Sequence, residues 1–87
     1  MRNAMKSRLC NSFQFDASKY TVLIVEDSKS VSNMINTTFV EAKFKTLVAL
    51  TLAQAREHIE KEAIDFIILD MNLPDGNGYD FLVKHRN

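Results

Sequence analysis

The 87-residue sequence contains no tryptophan, one proline, two glycines and one cysteine. A lone cysteine, Cys10, excludes an internal disulfide framework and favours a reducing compartment such as the cytoplasm. No apolar run is long enough to cross a bilayer, and the basic N-terminus lacks the apolar core of a secretory signal. The net charge of zero gives no reason to expect nucleic acid or a membrane as a partner.

The length allows one small domain. Residues 1–18 are polar and rich in serine and asparagine, a composition that predicts a flexible leader. We therefore expect the folded domain to occupy residues 19–87.

Three apolar runs alternate with helical patterns, which predicts the order β-α-β-α-β-α. The predicted strands cover residues 20–25, 45–50 and 65–70. The first is continuously apolar rather than alternating, as is typical of a strand covered on both faces. Strands separated by helices of this length favour parallel pairing through right-handed crossovers.

The predicted helices begin after residues that commonly cap helices. Ser28 precedes the first, Thr51 precedes a second over residues 52–62, and a third begins at Tyr79. Helical spacing predicts an inward face for the first helix made of Val31, Met34, Ile35, Thr38, Phe39 and Ala42. The inward residues predicted for the other two are Leu52, Ala55, Ile59 and Ala63, and then Phe81 and Leu82.

Acidic residues follow two of the predicted strands. Glu26 and Asp27 end the first, and Asp70 ends the third. Ligands of open parallel sheets collect beyond the carboxyl ends of the strands, so neighbouring strands would bring these carboxylates together. Oxygen ligands of this kind suit Mg²⁺. An acid at a strand end is also a common turn former or helix cap, and the spacing alone leaves both interpretations open.

Two other motifs that start from an aspartate match poorly. An EF-hand loop would place glycine where Asp75 stands and glutamate where Phe81 stands. The motif of haloacid-dehalogenase-type phosphatases is D-x-D followed by a small residue and threonine. In this sequence Asp70 is followed by MNLP, which does not match.

Together these residues resemble the receiver domain of two-component response regulators. VLIVEDS is similar to the family's first strand and acidic pair, and FIILDMNLPDGNGYDFL is similar to its third strand and phosphoacceptor loop. Asp70 matches the phosphoacceptor, and Pro74 and Gly78 match the family's proline and glycine. The resemblance covers residues 20–87 and implies an α/β, flavodoxin-like, doubly wound parallel sheet.

The resemblance also implies a function. Asp70 would accept a phosphoryl group from a sensor histidine kinase or a phosphotransfer protein in a two-component phosphorelay. Mg²⁺ would be held directly by Asp27 and Asp70, by Glu26 largely through water, and by the backbone carbonyl of Asn72. Such a domain is a signalling phosphoprotein rather than an enzyme, with at most weak autophosphatase activity. The alternative is a receiver-derived binding or dimerisation module without a working switch.

A complete receiver has five strands in the order 2-1-3-4-5. This sequence ends within the third predicted helix, so we expect only the N-terminal portion of a receiver, either truncated or completed by another chain. The Ser or Thr of the fourth strand and the Lys of the fifth would then be missing. The third strand would form an open edge, which predicts a homo-oligomer formed through that edge.

Overall fold

The computed structural model describes residues 15–85, which form a three-stranded parallel sheet. Its strands are β1 (Thr21–Val25), β2 (Lys45–Ala49) and β3 (Phe66–Leu69). The strand order is β2-β1-β3, so β1 is central and β3 lies at an edge. The pairing starts with Thr21 opposite Lys45 and Val22 opposite Phe66. The predicted α/β architecture with a doubly wound parallel sheet is confirmed for the described residues.

In the described part of the chain, three α-helices connect or follow the strands: α1 (Lys29–Glu41), α2 (Leu52–Lys61) and α3 (Gly78–His85). Ser28 caps α1 and Thr51 caps α2, each through a side-chain oxygen that accepts a backbone N–H in the first turn, as predicted. None of the helices within residues 15–85 has the length and apolarity needed to cross a membrane.

The central strand β1 is covered on both faces. Its successive side chains alternate between them, so that Leu23 and Val25 lie on one side and Val22 and Ile24 on the other. Val22 lines an apolar groove together with Phe39 of α1. The opposite face carries the main buried cluster, which consists of Leu23, Val25, Ala49, Leu52, Ala55, Leu73 and Phe81. The continuous apolar run therefore reports burial by helices on both sides of the sheet.

The inward face predicted for α1 is partly wrong. Ile35 and Phe39 are half-buried, but the structure exposes the predicted residues Val31, Met34, Thr38 and Ala42. Ser32 lies on the buried side instead, with 2% of its surface exposed. Its hydroxyl donates a hydrogen bond to the backbone oxygen of Lys29 at 3.1 Å, so burial leaves no unpaired polar group.

Smaller differences concern the second half of the chain. Helix α2 ends at Lys61, and Ala63, predicted to face inward, is exposed. In α3, Phe81 is buried as predicted, but Leu82 is exposed. Strand β3 lies at the edge of the sheet among the described residues, which agrees with the predicted open edge, and Phe66 and Ile67 are 50% and 36% exposed there.

The loop after β3 contains a short antiparallel hairpin that the sequence did not reveal. Its strands are β4 (Asn72–Leu73) and β5 (Gly76–Asn77), with Leu73 paired opposite Gly76. Leu73 is buried in the main core cluster. The hairpin is thus packed into the body of the protein by one apolar side chain.

Aromatic side chains cluster at the end of the sheet where the strands begin. Its members are Phe15, Tyr20, Phe39, Phe44 and Phe66, and the Phe15 and Tyr20 rings stack with centroids 5.4 Å apart. A 3₁₀-helix, Ala17–Lys19, leads into β1. The predicted leader of residues 1–18 lies mostly outside the described residues, and its boundary stays a prediction.

Candidate functional site

Three carboxylates converge at the carboxyl end of the sheet. One carboxylate oxygen from each of Glu26, Asp27 and Asp70 lies within 4.8 Å of the others. Glu26 and Asp27 directly follow β1, and Asp70 directly follows β3. Because β1 and β3 are parallel neighbours, their ends meet at one edge, as the sequence predicted.

Backbone hydrogen bonds hold the acidic residues in register with the sheet. The amide of Asp70 donates to the oxygen of Val25 at 3.0 Å, and the amide of Glu26 donates to the oxygen of Ala49 at 3.0 Å. Both bonds continue the strand ladders by one residue beyond β3 and β1. The backbone at both acidic positions is therefore fixed by the core rather than by a free loop.

The three side chains differ in their hydrogen bonds. Oε2 of Glu26 accepts from the amide of Ser28 at 3.1 Å, which draws this carboxylate towards the start of α1. Oδ1 of Asp70 accepts a long hydrogen bond of 3.4 Å from the amide of Asn72. Among residues 15–85, no protein donor forms a hydrogen bond with the other oxygen of Asp70, Oδ2.

The carboxylate cluster has the chemistry of a magnesium site. Like charges at this separation repel one another, and a divalent cation removes that repulsion. Mg²⁺ prefers hard oxygen ligands at 2.0–2.1 Å, so opposite ligands of its octahedron lie about 4.2 Å apart. Neighbouring ligands of the same octahedron lie about 2.9 Å apart, so three carboxylate oxygens within 4.8 Å of one another would ligate one ion directly only after moving closer together.

The loop after Asp70 closes tightly on itself. The amide of Gly78 donates to the oxygen of Met71 at 2.8 Å, so the chain returns to its starting point before α3 begins. An added Cβ at Gly78 would overlap the backbone oxygen of Asp70. The glycine that matched the receiver pattern is thus needed here for space, because the start of α3 touches the backbone of Asp70.

Two side chains of this loop act as helix caps that the sequence analysis did not identify. Oδ1 of Asn77 accepts from the amides of Tyr79 and Asp80 at the start of α3. Asp75 accepts from the amides of Leu52 and Ala53 at the start of α2. Asn77 stands at the usual capping position directly before a helix, a signal that was available. Asp75 caps a helix 22 residues earlier in the chain, which no local pattern indicates.

The comparisons with known proteins agree with this geometry. Residues 22–87 match the family described as "Response regulator receiver domain". The chain belongs to this family. The receiver domain is a signalling domain rather than a classical enzyme, and membership implies phosphorylation-based two-component signalling. It gives no support to the alternative of a binding module without a switch.

Individual relatives of this receiver domain show the same likeness. The chain is 34% identical to response regulator protein PilR of Pseudomonas aeruginosa. The aligned region covers 75% of this chain and 15% of PilR. It is 31% identical to sporulation initiation phosphotransferase F of Bacillus subtilis. Here the aligned region covers 75% of this chain and 52% of that protein. The solved structure "MaeR response regulator bound to beryllium trifluoride" matches with 35% identity and a TM-score of 0.66, covering 75% of this chain and 55% of that one.

This receiver domain therefore spans about half the length of phosphotransferase F, and far less of PilR. The likeness concerns residues of the sheet, the acidic edge and the loop that follows it.

Proposed function

We propose that this receiver domain accepts a phosphoryl group on Asp70 from a phosphohistidine of a sensor histidine kinase or phosphotransfer protein. The observation that carries the proposal is the convergence of Glu26, Asp27 and Asp70 at the end of two neighbouring strands. Asp70 is the best nucleophile of the three, because it is half-buried, directly follows β3 and stands where the resemblance to receiver domains puts the phosphoacceptor. Glu26 is tied to Ser28, and Asp27 is exposed at the start of the next loop.

The transfer requires one bond to form and one to break. A carboxylate oxygen of Asp70 attacks phosphorus, and an O–P bond forms while the N–P bond of the phosphohistidine breaks. The imidazole nitrogen leaves with the bonding electron pair, and the product is an acyl phosphate. Phosphoryl transfer depends mainly on positioning and charge neutralisation, and the ladder bond from Asp70 to Val25 fixes the position of the nucleophile.

In this proposal Asp27 and Asp70 hold Mg²⁺ directly, Glu26 acts largely through water, and the backbone carbonyl of Asn72 is a further ligand. When bound, the cation supplies charge neutralisation for the incoming phosphoryl oxygens. Asp27 is suited to this role because it is exposed and its carboxylate lies within 4.8 Å of that of Asp70. In this proposal the domain is a phosphoryl acceptor rather than an enzyme, with at most weak autophosphatase activity. The proposed compartment is the cytoplasm, because a chain with a single cysteine forms no internal disulfide and so fits a reducing environment.

Labelling by a small phosphodonor tests the assignment of the nucleophile. The protein is incubated with acetyl phosphate, with and without Mg²⁺, and its intact mass is measured. We expect the wild type to gain one phosphoryl group in the presence of Mg²⁺ and Asp70→Asn to gain none. Asp65→Asn is the matched control, because Asp65 flanks the other end of β3. Equal labelling of Asp70→Asn and the wild type would show that another residue is the acceptor.

We also propose that two copies of the chain pair through the edge of β3. Among residues 15–85 this strand has a neighbour on one side only, and Phe66 and Ile67 are 50% and 36% exposed. Unpaired backbone groups flanked by apolar side chains template the addition of another strand, and two third strands can meet about a two-fold axis. Sedimentation over a range of protein concentrations should show a dimer that Ile67→Lys weakens. A wild-type chain that stays monomeric at high concentration would contradict this assembly.

A further inference from the structure

Asp75 joins two parts of the chain that are distant in sequence. One of its carboxylate oxygens accepts from the amide of Leu52 at 2.8 Å, and the other accepts from the amide of Ala53 at 3.0 Å. These amides belong to the first turn of α2, whose donors have no partner within the helix. The hydrogen bond from Leu52 and, less strongly, the one from Ala53 hold the pKa of the Asp75 carboxyl below its usual range. Desolvation acts in the opposite direction but does not cancel them.

The loop that carries Asp75 is the loop that begins at Asp70. Asp75 lies at the turn of the hairpin between β4 and β5, and each hairpin strand has only two residues. A ladder this short is not stable by itself in water. The loop therefore depends on its attachments to the rest of the domain, which include Leu73 in the core, the close contact at Gly78 and the two bonds of Asp75.

The attachment through Asp75 is made by hydrogen bonds to the start of a helix that is anchored in the core. Helix α2 follows β2 after a link of two residues and buries Leu52 and Ala55 in the main core cluster. The side chain of Leu52 also approaches Gly76, where an added Cβ would lie 2.8 Å from its Cδ1. The start of α2 thus contacts the hairpin through both a backbone amide and a side chain of Leu52.

We propose that Asp75 is a positioning residue for the phosphoacceptor, because its carboxylate fastens the Asp70 loop to the first turn of α2. This inference rests on the proposed function of Asp70. Asp75 touches neither the phosphoryl group nor the cation in this role. It fixes the path of residues 71–77, and with them the amide and carbonyl of Asn72 beside Asp70.

The competing explanation is that Asp75 only stabilises α2. Thr51 separates the two explanations, because its hydroxyl also caps α2, by accepting from the amide of Gln54 at 3.1 Å. Thr51 has no recorded bond to the hairpin among the described residues. Thr51→Ala therefore weakens the start of the same helix and leaves the fastening of the Asp70 loop intact.

The experiment compares wild type, Asp70→Asn, Asp75→Ala, Asp75→Asn and Thr51→Ala. The rate constant for phosphoryl incorporation from acetyl phosphate is measured by intact mass at saturating Mg²⁺, below the onset of every unfolding transition. We expect Asp75→Ala to react about 10-fold more slowly, since a displacement of 1 Å at a reacting group can reduce a rate on the order of 10²-fold. Asp75→Asn keeps one acceptor oxygen and should fall between Asp75→Ala and the wild type, whereas Thr51→Ala should stay within about twofold of the wild type.

The outcomes separate the inference from the proposed function. If the wild type is labelled and Asp75→Ala reacts at the same rate, Asp75 does not position the acceptor. If Thr51→Ala is slowed as much as Asp75→Ala, the effect belongs to helix stability and the inference is wrong. If Asp75→Ala does not fold, the comparison of Asp75→Asn with Thr51→Ala decides by the same criteria. A wild type that takes no label, or takes it equally in Asp70→Asn, overturns the proposed function and the inference with it.

Discussion

Replacing Gly78 by alanine places a methyl group against the backbone of Asp70, the residue proposed to accept the phosphoryl group. The added Cβ would overlap the carbonyl oxygen of Asp70 and lie 3.1 Å from both the carbonyl carbon of Asp70 and the Cγ of Leu69. Backbone atoms cannot rotate away as a flexible side chain can. Among the glycines, Gly76 alone has a positive φ, so the effect at Gly78 is one of space rather than of backbone conformation.

The overlap should reduce both stability and reactivity. Overpacking of this kind typically costs about 1–3 kcal/mol, and the gain from replacing glycine in a helix is at most about 1 kcal/mol. We therefore expect Gly78→Ala to lower the free energy of unfolding by about 1–2 kcal/mol and Tm by roughly 5–10 °C. Relief of the clash displaces Asp70 or α3 by on the order of 1 Å, so labelling of Asp70 should slow by roughly 10-fold or more.

Thermal unfolding followed by circular dichroism and labelling by acetyl phosphate measure the two effects. Tyr79→Ala is the control, because Tyr79 follows directly in α3 and is 60% exposed. Its substitution should change the stability by less than about 1 kcal/mol and leave the labelling rate unchanged. If Gly78→Ala keeps both the Tm and the labelling rate of the wild type, the close approach of α3 to Asp70 is wrong.

Three further predictions follow from single contacts. Phe81→Ala removes a side chain that is 5% exposed in the core and should cost about 3–5 kcal/mol in urea unfolding; a loss below 1 kcal/mol would contradict its burial. Folding lowers the pKa of Asp75, so its stabilisation is complete above the unfolded-state value of about 3.9 and is lost as the pH falls through the folded-state value. The stability difference between wild type and Asp75→Asn should therefore be constant near neutral pH and shrink in acid denaturation below about pH 4, and a difference that grows there would contradict the bonds to α2. Asp27→Asn should weaken Mg²⁺ binding by about 10-fold or more in calorimetric titration. Glu26→Gln should weaken it less, because the Glu26 carboxylate accepts a hydrogen bond from Ser28. A larger loss of affinity in Glu26→Gln than in Asp27→Asn would contradict the proposed ligand set.

The parts of the fold that the sequence predicted are those with strong local signals. The apolar runs of β1 and β3 are too long and too rich in β-branched residues to be loops, and the acids that end them sit at one edge once parallel pairing is assumed. Right-handed crossovers then leave few topologies. The strand order β2-β1-β3 was implied by the resemblance to receiver domains, and with that order the acidic edge follows.

The orientation of α1 could not be predicted because its apolar residues occupy two adjacent stripes. Val31 and Met34 continue the helical spacing of Ile35 and Phe39, yet they are 37% and 64% exposed. Ser32 takes the buried position because its hydroxyl is satisfied inside the helix, a contact that hydropathy does not register.

The role of Asp75 was hidden for a different reason. Among the turn residues around Pro74, an aspartate is expected for local reasons alone. Its partners, the amides of Leu52 and Ala53, are 23 and 22 residues away and are carried there by the crossover between β2 and β3. A side chain that caps a distant helix becomes visible only when the tertiary structure is known.

Localisation of the phosphoryl group tests the central claim most directly. The protein is labelled with acetyl phosphate and Mg²⁺, the acyl phosphate is reduced with borohydride, and the modified residue is identified by tandem mass spectrometry. The geometry of the acidic edge predicts modification at Asp70 alone, with Asp27 and Glu26 unmodified. Modification at Asp27 or Glu26 in place of Asp70, or no Mg²⁺-dependent modification at all, would contradict the account.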